Sequence, residues 1–101
     1  MSVSTSVDYR TSYETVAISQ TDQVLGVEGG AGDVLQRLII TVATAATATC
    51  SIKDGAGSAI LITVANTPIG VYSVELGVKA DTNWKVSTGA GCTVLAVGRF
   101  K

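Results

Sequence analysis

The sequence predicts an all-β protein: a single antiparallel β-sandwich, or jelly-roll-like domain, of seven or eight short strands with an extended N-terminal arm. Three observations carry that expectation. The chain of 101 residues holds 14 Val, 13 Thr and 12 Ala but only 1 Pro, a supply of branched side chains that fits pleated surfaces. From Asp22 onward, apolar segments recur about every ten to twelve residues, the rhythm of a sandwich or barrel. Gly, Asp and Asn separate those segments, and these residues make tight reversals.

Residues 1–20 differ from the rest, with seven Ser or Thr among the first fifteen positions, two tyrosines and no Gly. They read as an arm laid along a neighbour and anchored by Tyr9, Tyr13 and Ile18, with residues 21–101 forming the sandwich. An equally weighted alternative makes Ser2-Val3-Ser4-Thr5-Ser6-Val7 or Thr15-Val16-Ala17-Ile18 a strand at the edge of the sheet. Seven further strands are expected over residues 23–27, 35–43, 48–53, 59–64, 71–78, 83–87 and 93–100. Helix over 34–48 is disfavoured because Ile39-Ile40-Thr41-Val42 and repeated Thr form helices poorly.

Turn chemistry supports the connections. Asp54-Gly55-Ala56-Gly57 sits between two apolar runs, so glycine supplies the positive φ of a tight hairpin. Asn66-Thr67-Pro68-Ile69-Gly70 ends the next strand, because proline removes a ladder donor. Asp81-Thr82-Asn83 and Thr88-Gly89-Ala90-Gly91 bracket the short strand around Trp84. In Tyr72-Ser73-Val74-Glu75-Leu76-Gly77-Val78 the large apolar residues alternate with polar or small ones, which predicts one buried and one wet face. The segments holding Ile39, Leu61, Leu95 and Val97 carry bulk on both faces. Such strands lie at the centre of a sandwich or beneath another subunit, which makes these four residues candidates for an interface.

Composition narrows function. Without His, the commonest general base and the commonest metal ligand are both missing, and no Ser has a partner to activate it. The chain is therefore expected to be non-enzymatic and to need no cofactor. A net charge of -1 with 15% charged residues provides no basic face for nucleic acid. No apolar run approaches the ~20 residues of a membrane-spanning helix, and the first residues lack a basic-then-apolar leader pattern. A 47% hydrophobic content is high for a domain that buries only ~65% of its unfolded surface, so some apolar area is expected to meet a partner. Cys50 and Cys92 are expected as two buried, reduced thiols, with a disulfide as the lesser alternative. The glycines around Gly29 and Gly30 lack the Lys-Ser/Thr of a phosphate loop, and neither Asp54 nor the pair Glu28 and Asp33 has the alternating oxygen ligands of a calcium loop. Trp84 alternates in phase with Val86 and reads as a core or interface residue in preference to a sugar-stacking platform.

The succession Gly32-Asp33-Val34-Leu35-Gln36-Arg37-Leu38-Ile39-Ile40, Ser51-Ile52-Lys53-Asp54-Gly55, Tyr72-Ser73-Val74-Glu75-Leu76-Gly77-Val78, Trp84-Lys85-Val86-Ser87-Thr88-Gly89-Ala90-Gly91 and Val97-Gly98-Arg99-Phe100 resembles small structural proteins of tailed bacteriophages. The resemblance is to an ordered series of strand and turn signatures over about two thirds of the chain, and it is greatest to capsid decoration, or cement, proteins. It implies a subunit, often trimeric, that is assembled in the host cytoplasm and seated on the virion surface where copies of the major capsid protein meet. A tail, neck or head-fibre component is the rival within the same class. A glycan-binding sandwich module is the rival from a different one.

Overall fold

The structure, a computed structural model, describes residues 12–27 and 29–100. Eight strands are divided between two antiparallel sheets: β1 (Ser12–Val16), β2 (Gln23–Val24), β3 (Val34–Val42), β4 (Cys50–Asp54), β5 (Ile60–Thr63), β6 (Gly70–Lys79), β7 (Trp84–Thr88) and β8 (Cys92–Arg99). The front sheet has the order β1-β8-β3-β6 and the back sheet the order β2-β7-β4-β5. Every pairing is antiparallel, and the two interlocked four-stranded sheets are those of a jelly roll. All seven strands expected after Asp22 are present, and the segment weighed as helix holds only a 3-10 turn at Ala45–Thr47.

The first segment resolves between its two alternatives over its described part. Ser12–Val16 form β1, an edge strand whose Val16 pairs with Val94 and is fully buried. Tyr9 and the rest of residues 1–11 lie outside the described residues. Edge-strand β1 is locked to the back sheet by the Glu14 carboxylate, which accepts from Gln23 Nε2 and from the Gly26 amide, both at 2.7 Å. Just beyond it, the Thr88 hydroxyl donates to the Ala17 carbonyl and accepts from the Gln20 amide, pinning the crossing between the sheets.

The core lies between the sheets. Leu35, Leu38, Ile40 and Val42 of β3, Val94 and Ala96 of β8, and Cys50, Ile52 and Val86 of the back sheet are all at most 2% exposed. Trp84 is also buried, with its indole N–H donating to the Val78 carbonyl at 3.3 Å, which places it in the core as its phase predicts.

Turns are closed by capping. At the β4–β5 hairpin Gly55 takes a φ of 61°, and the Asp54 carboxylate accepts from the backbone amides of Asp81, Thr82 and Asn83 at 2.8, 2.9 and 3.1 Å. One side chain thus fixes the β6–β7 turn against the β4–β5 hairpin, and its oxygens are already engaged. Those amide donors hold the Asp54 carboxyl below its ordinary value of 3.8.

Two predictions follow from this packing. Leu38→Ala is expected to destabilise the chain by about 2–5 kcal/mol in denaturant unfolding, and Ile39→Ala, one position on and facing outward, by less. The folded Asp54 carboxyl is depressed, so its contribution is present above the ordinary carboxyl value and lost as pH falls through the folded one. Asp54→Asn is therefore expected to shed less stability than the natural chain when unfolding is followed downward from about pH 5, the acid loss that remains coming in part from Asp22, held low by Lys53.

Candidate functional site

The registers decide where the sequence candidates go. On the outer face of the front sheet, Tyr13 stands opposite Val97, Val97 opposite Arg37, and Arg37 opposite Glu75. The adjoining row runs Thr15, Leu95, Ile39, Ser73. Four of the six described candidates, Tyr13, Ile39, Leu95 and Val97, therefore sit in two neighbouring rows of one face. Ile39, Leu95 and Val97 are half-buried by their neighbours, whereas Tyr13, on the edge strand, is 68% exposed. Leu61 lies elsewhere, on β5 opposite Ser51 and 61% exposed. Ile18 is exposed in the connection from β1 to β2.

One end of the paired rows is charged. Arg37 donates to Glu75 at 2.6 Å in an ion pair that solvent reaches on both sides. Glu75 raises the Arg37 pKa further, but so exposed a pair does little for stability, and its effect is to hold two long side chains upright on the face. Beside it is a shallow depression of about 500 Å³ lined by Gln36, Arg37, Glu75, Leu76, Gly77 and Val97. The hollow coincides with an irregularity between Leu35 and Arg37 in both ladders of β3, and Gly77 takes a φ of 68° there. Bulges of this kind bend a sheet and re-aim its side chains.

The thiols occupy a different setting. Cys50 and Cys92 are free and buried on facing sheets, and the Cys92 thiol donates to the Thr49 carbonyl at 3.2 Å. Burial, with the neighbouring Cys92 adding to it, pushes the Cys50 thiol up to about 12. Among the described residues, no group of three or more His, Cys, Asp or Glu is placed to hold a metal ion. Asp33, one of the carboxylates weighed for calcium, is buried and accepts from the Gly30 amide at 3.0 Å, while Glu28 lies outside the described residues.

Sequence reasoning missed several exposed apolar residues: Ile60, Val64, Ile69, Val71 and Val78. Ile69 follows the only proline, in a segment read simply as a strand breaker, and Val71 stands in phase with Ser73 and Glu75, on the wet face that the alternation of this strand predicts. Ile60 lies in a segment read as apolar on both faces; its pairing with Ile52 turns it inward, yet it is 54% exposed.

Comparison with known proteins gives no match among family descriptions, curated proteins or solved structures.

The thiol setting makes a direct prediction. At pH 8 a thiol with a pKa near 12 is ionised to only about one part in ten thousand. A disulfide reagent is expected to find no rapidly reacting thiol in the native chain and two after denaturation. Rapid native labelling at Cys50 would contradict the burial.

Proposed function

We propose that the chain is a structural assembly subunit, and specifically a decoration, or cement, protein of a bacteriophage capsid. It acts as a homotrimer whose front-sheet face is seated against the major capsid protein. The observation that carries the reading is the gathering of Tyr13, Ile39, Leu95 and Val97 into two adjoining rows of one sheet face, with the Arg37–Glu75 pair at the end of one row. An apolar centre with an adjacent charged group is the make-up of a protein interface, where aromatic and aliphatic anchors supply affinity and charges supply orientation. The jelly roll adds support by architecture alone, being frequent among viral capsid domains, though lectins share it.

Nothing in the site favours the glycan reading, because the aromatic ring on which it depends most, Trp84, is in the core. The tail and fibre reading uses the same kind of subunit and differs only in place.

Imaging of intact particles that carry the chain separates the two. Density on the icosahedral shell is the expected result, and density confined to the tail would overturn the capsid assignment. On shells, Tyr13→Lys with Leu95→Lys is expected to lower occupancy at least roughly tenfold while the unfolding midpoint stays near that of the natural chain. Unchanged occupancy would remove the front face from the interface.

A further inference from the structure

The two open sides of the sandwich are not alike. On the side of β1 and β2, Glu14 bridges the sheets through Gln23 and Gly26. On the side of β5 and β6 the strands are mismatched, since β5 runs four residues and β6 ten. Pairing with Ile52 turns Ile60 inward, and pairing with Leu35, Leu38 and Ile40 turns Val78, Val74 and Tyr72 inward. Yet Ile60 is 54% and Val78 37% exposed, and Tyr72, Val74, Leu76 and Ile62 are only half-buried against the core. These side chains have the phase of core residues, and among the described residues no strand closes over them.

Six of the nine large apolar residues exposed among the described residues fall between positions 60 and 78: Ile60, Leu61, Val64, Ile69, Val71 and Val78. Beyond β6, among the described residues, the front sheet has no further strand.

We propose that residues 2–9 of a second copy of this chain fill this open side, pairing with the free edge of β6 and turning their apolar side chains into the seam. The alternation in the sequence upstream of β1 identifies the segment. Upstream of Ser12 the odd positions Val3, Thr5, Val7 and Tyr9 are branched or aromatic, and the even positions Ser2, Ser4, Ser6 and Asp8 are small or polar. That is the pattern of a strand with one buried face, and eight residues fit within the ten of β6. Main-chain hydrogen bonds along such an edge supply affinity, and the alternate side chains supply specificity.

The occupant has to come from another molecule. The chain enters the fold at β1, on the far edge of the same sheet, and a new strand beyond β6 lies four strand spacings away, at least about 19 Å. With residues 2–9 paired, only Arg10 and Thr11 lie between Tyr9 and Ser12, and that link of three steps reaches about 11 Å. A segment donated from one edge to the opposite edge of the next copy is a head-to-tail contact, which closes into a ring when the rotation allows. The inference rests on the self-association in the functional reading and not on the capsid.

Full-length variants test it in sedimentation. Val3→Asp with Val7→Asp and Tyr9→Asp spoils the donor and leaves the seam intact, whereas Ile60→Asp with Val78→Asp spoils the seam and leaves the donor intact. The natural chain is expected to sediment as an oligomer, each variant alone as a monomer, and an equimolar mixture of the two as a one-to-one heterodimer. A donor variant as oligomeric as the natural chain would overturn the strand donation while self-association stands; a monomeric natural chain would overturn both. Should the seam variant not fold, a peptide of residues 1–11 decides the matter, its saturable binding to the donor variant supporting the proposal and no binding overturning it.

Discussion

The whole sandwich depends on a change of phase in β3. Leu35 and Leu38 are both fully buried although three residues separate them, which simple alternation forbids. Their partners accommodate the difference: between the same two points β8 takes two residues, Gly98 to Ala96, and β6 takes four, Val78 to Val74. Without the irregularity at Gln36, either Leu35 or the set Leu38, Ile40 and Val42 would face water, since a one-residue slip sends a strand's side chains to the opposite face. Gly77, with its φ of 68°, gives β6 the left-handed step the longer path uses. The same local device thus completes the core on one side of the sheet and hollows the surface on the other, and it leaves Arg37 directly opposite Glu75.

Much of this was legible in the sequence because it is local. Alternation in β6, the Asp54-Gly55 reversal and the proline-marked break each depend on neighbours within a few residues. The doubly apolar strands were legible too, and β3 and β8 lie side by side at the centre of the front sheet with Ile39 facing Leu95. What the sequence does not display is set by partners distant along the chain. The bulge at Gln36 has no glycine in β3 itself, and its position follows from strands about forty and sixty residues away. Asp54 reads as a residue that caps its own turn, yet it caps residues 81–83, a contact created only when β4 and β7 pair.

Length mismatch is the other nonlocal property. A strand's inward phase says which way a side chain points, and burial requires an opposing strand long enough to meet it. Ile60 and Val78 satisfy the first condition and fail the second, because the back sheet supplies only four residues on the side where the front sheet supplies ten. Free sheet edges are usually blunted by shortness, charge, proline or a bulge. β5 is short, but β6 is long, and its charged residues Glu75 and Lys79 stand toward one end while Val71 is exposed near the other.

The two apolar regions answer different physical demands. On the front face, Leu95, Ile39 and Val97 are already half-covered by sheet neighbours, so the gain from covering them further is modest and comes mainly from complementary shape. In the seam, Ile62, Tyr72, Val74 and Leu76 already pack against the buried cluster and Ile60 and Val78 are turned the same way, so one added strand would extend the existing core without founding a new one. Covering the seam acts on the stability of the subunit itself; covering the face acts on where the subunit sits. On the proposed strand donation each copy would complete its neighbour's core while presenting its own face, and an apolar content that is high for a lone domain would be taken up in the assembly.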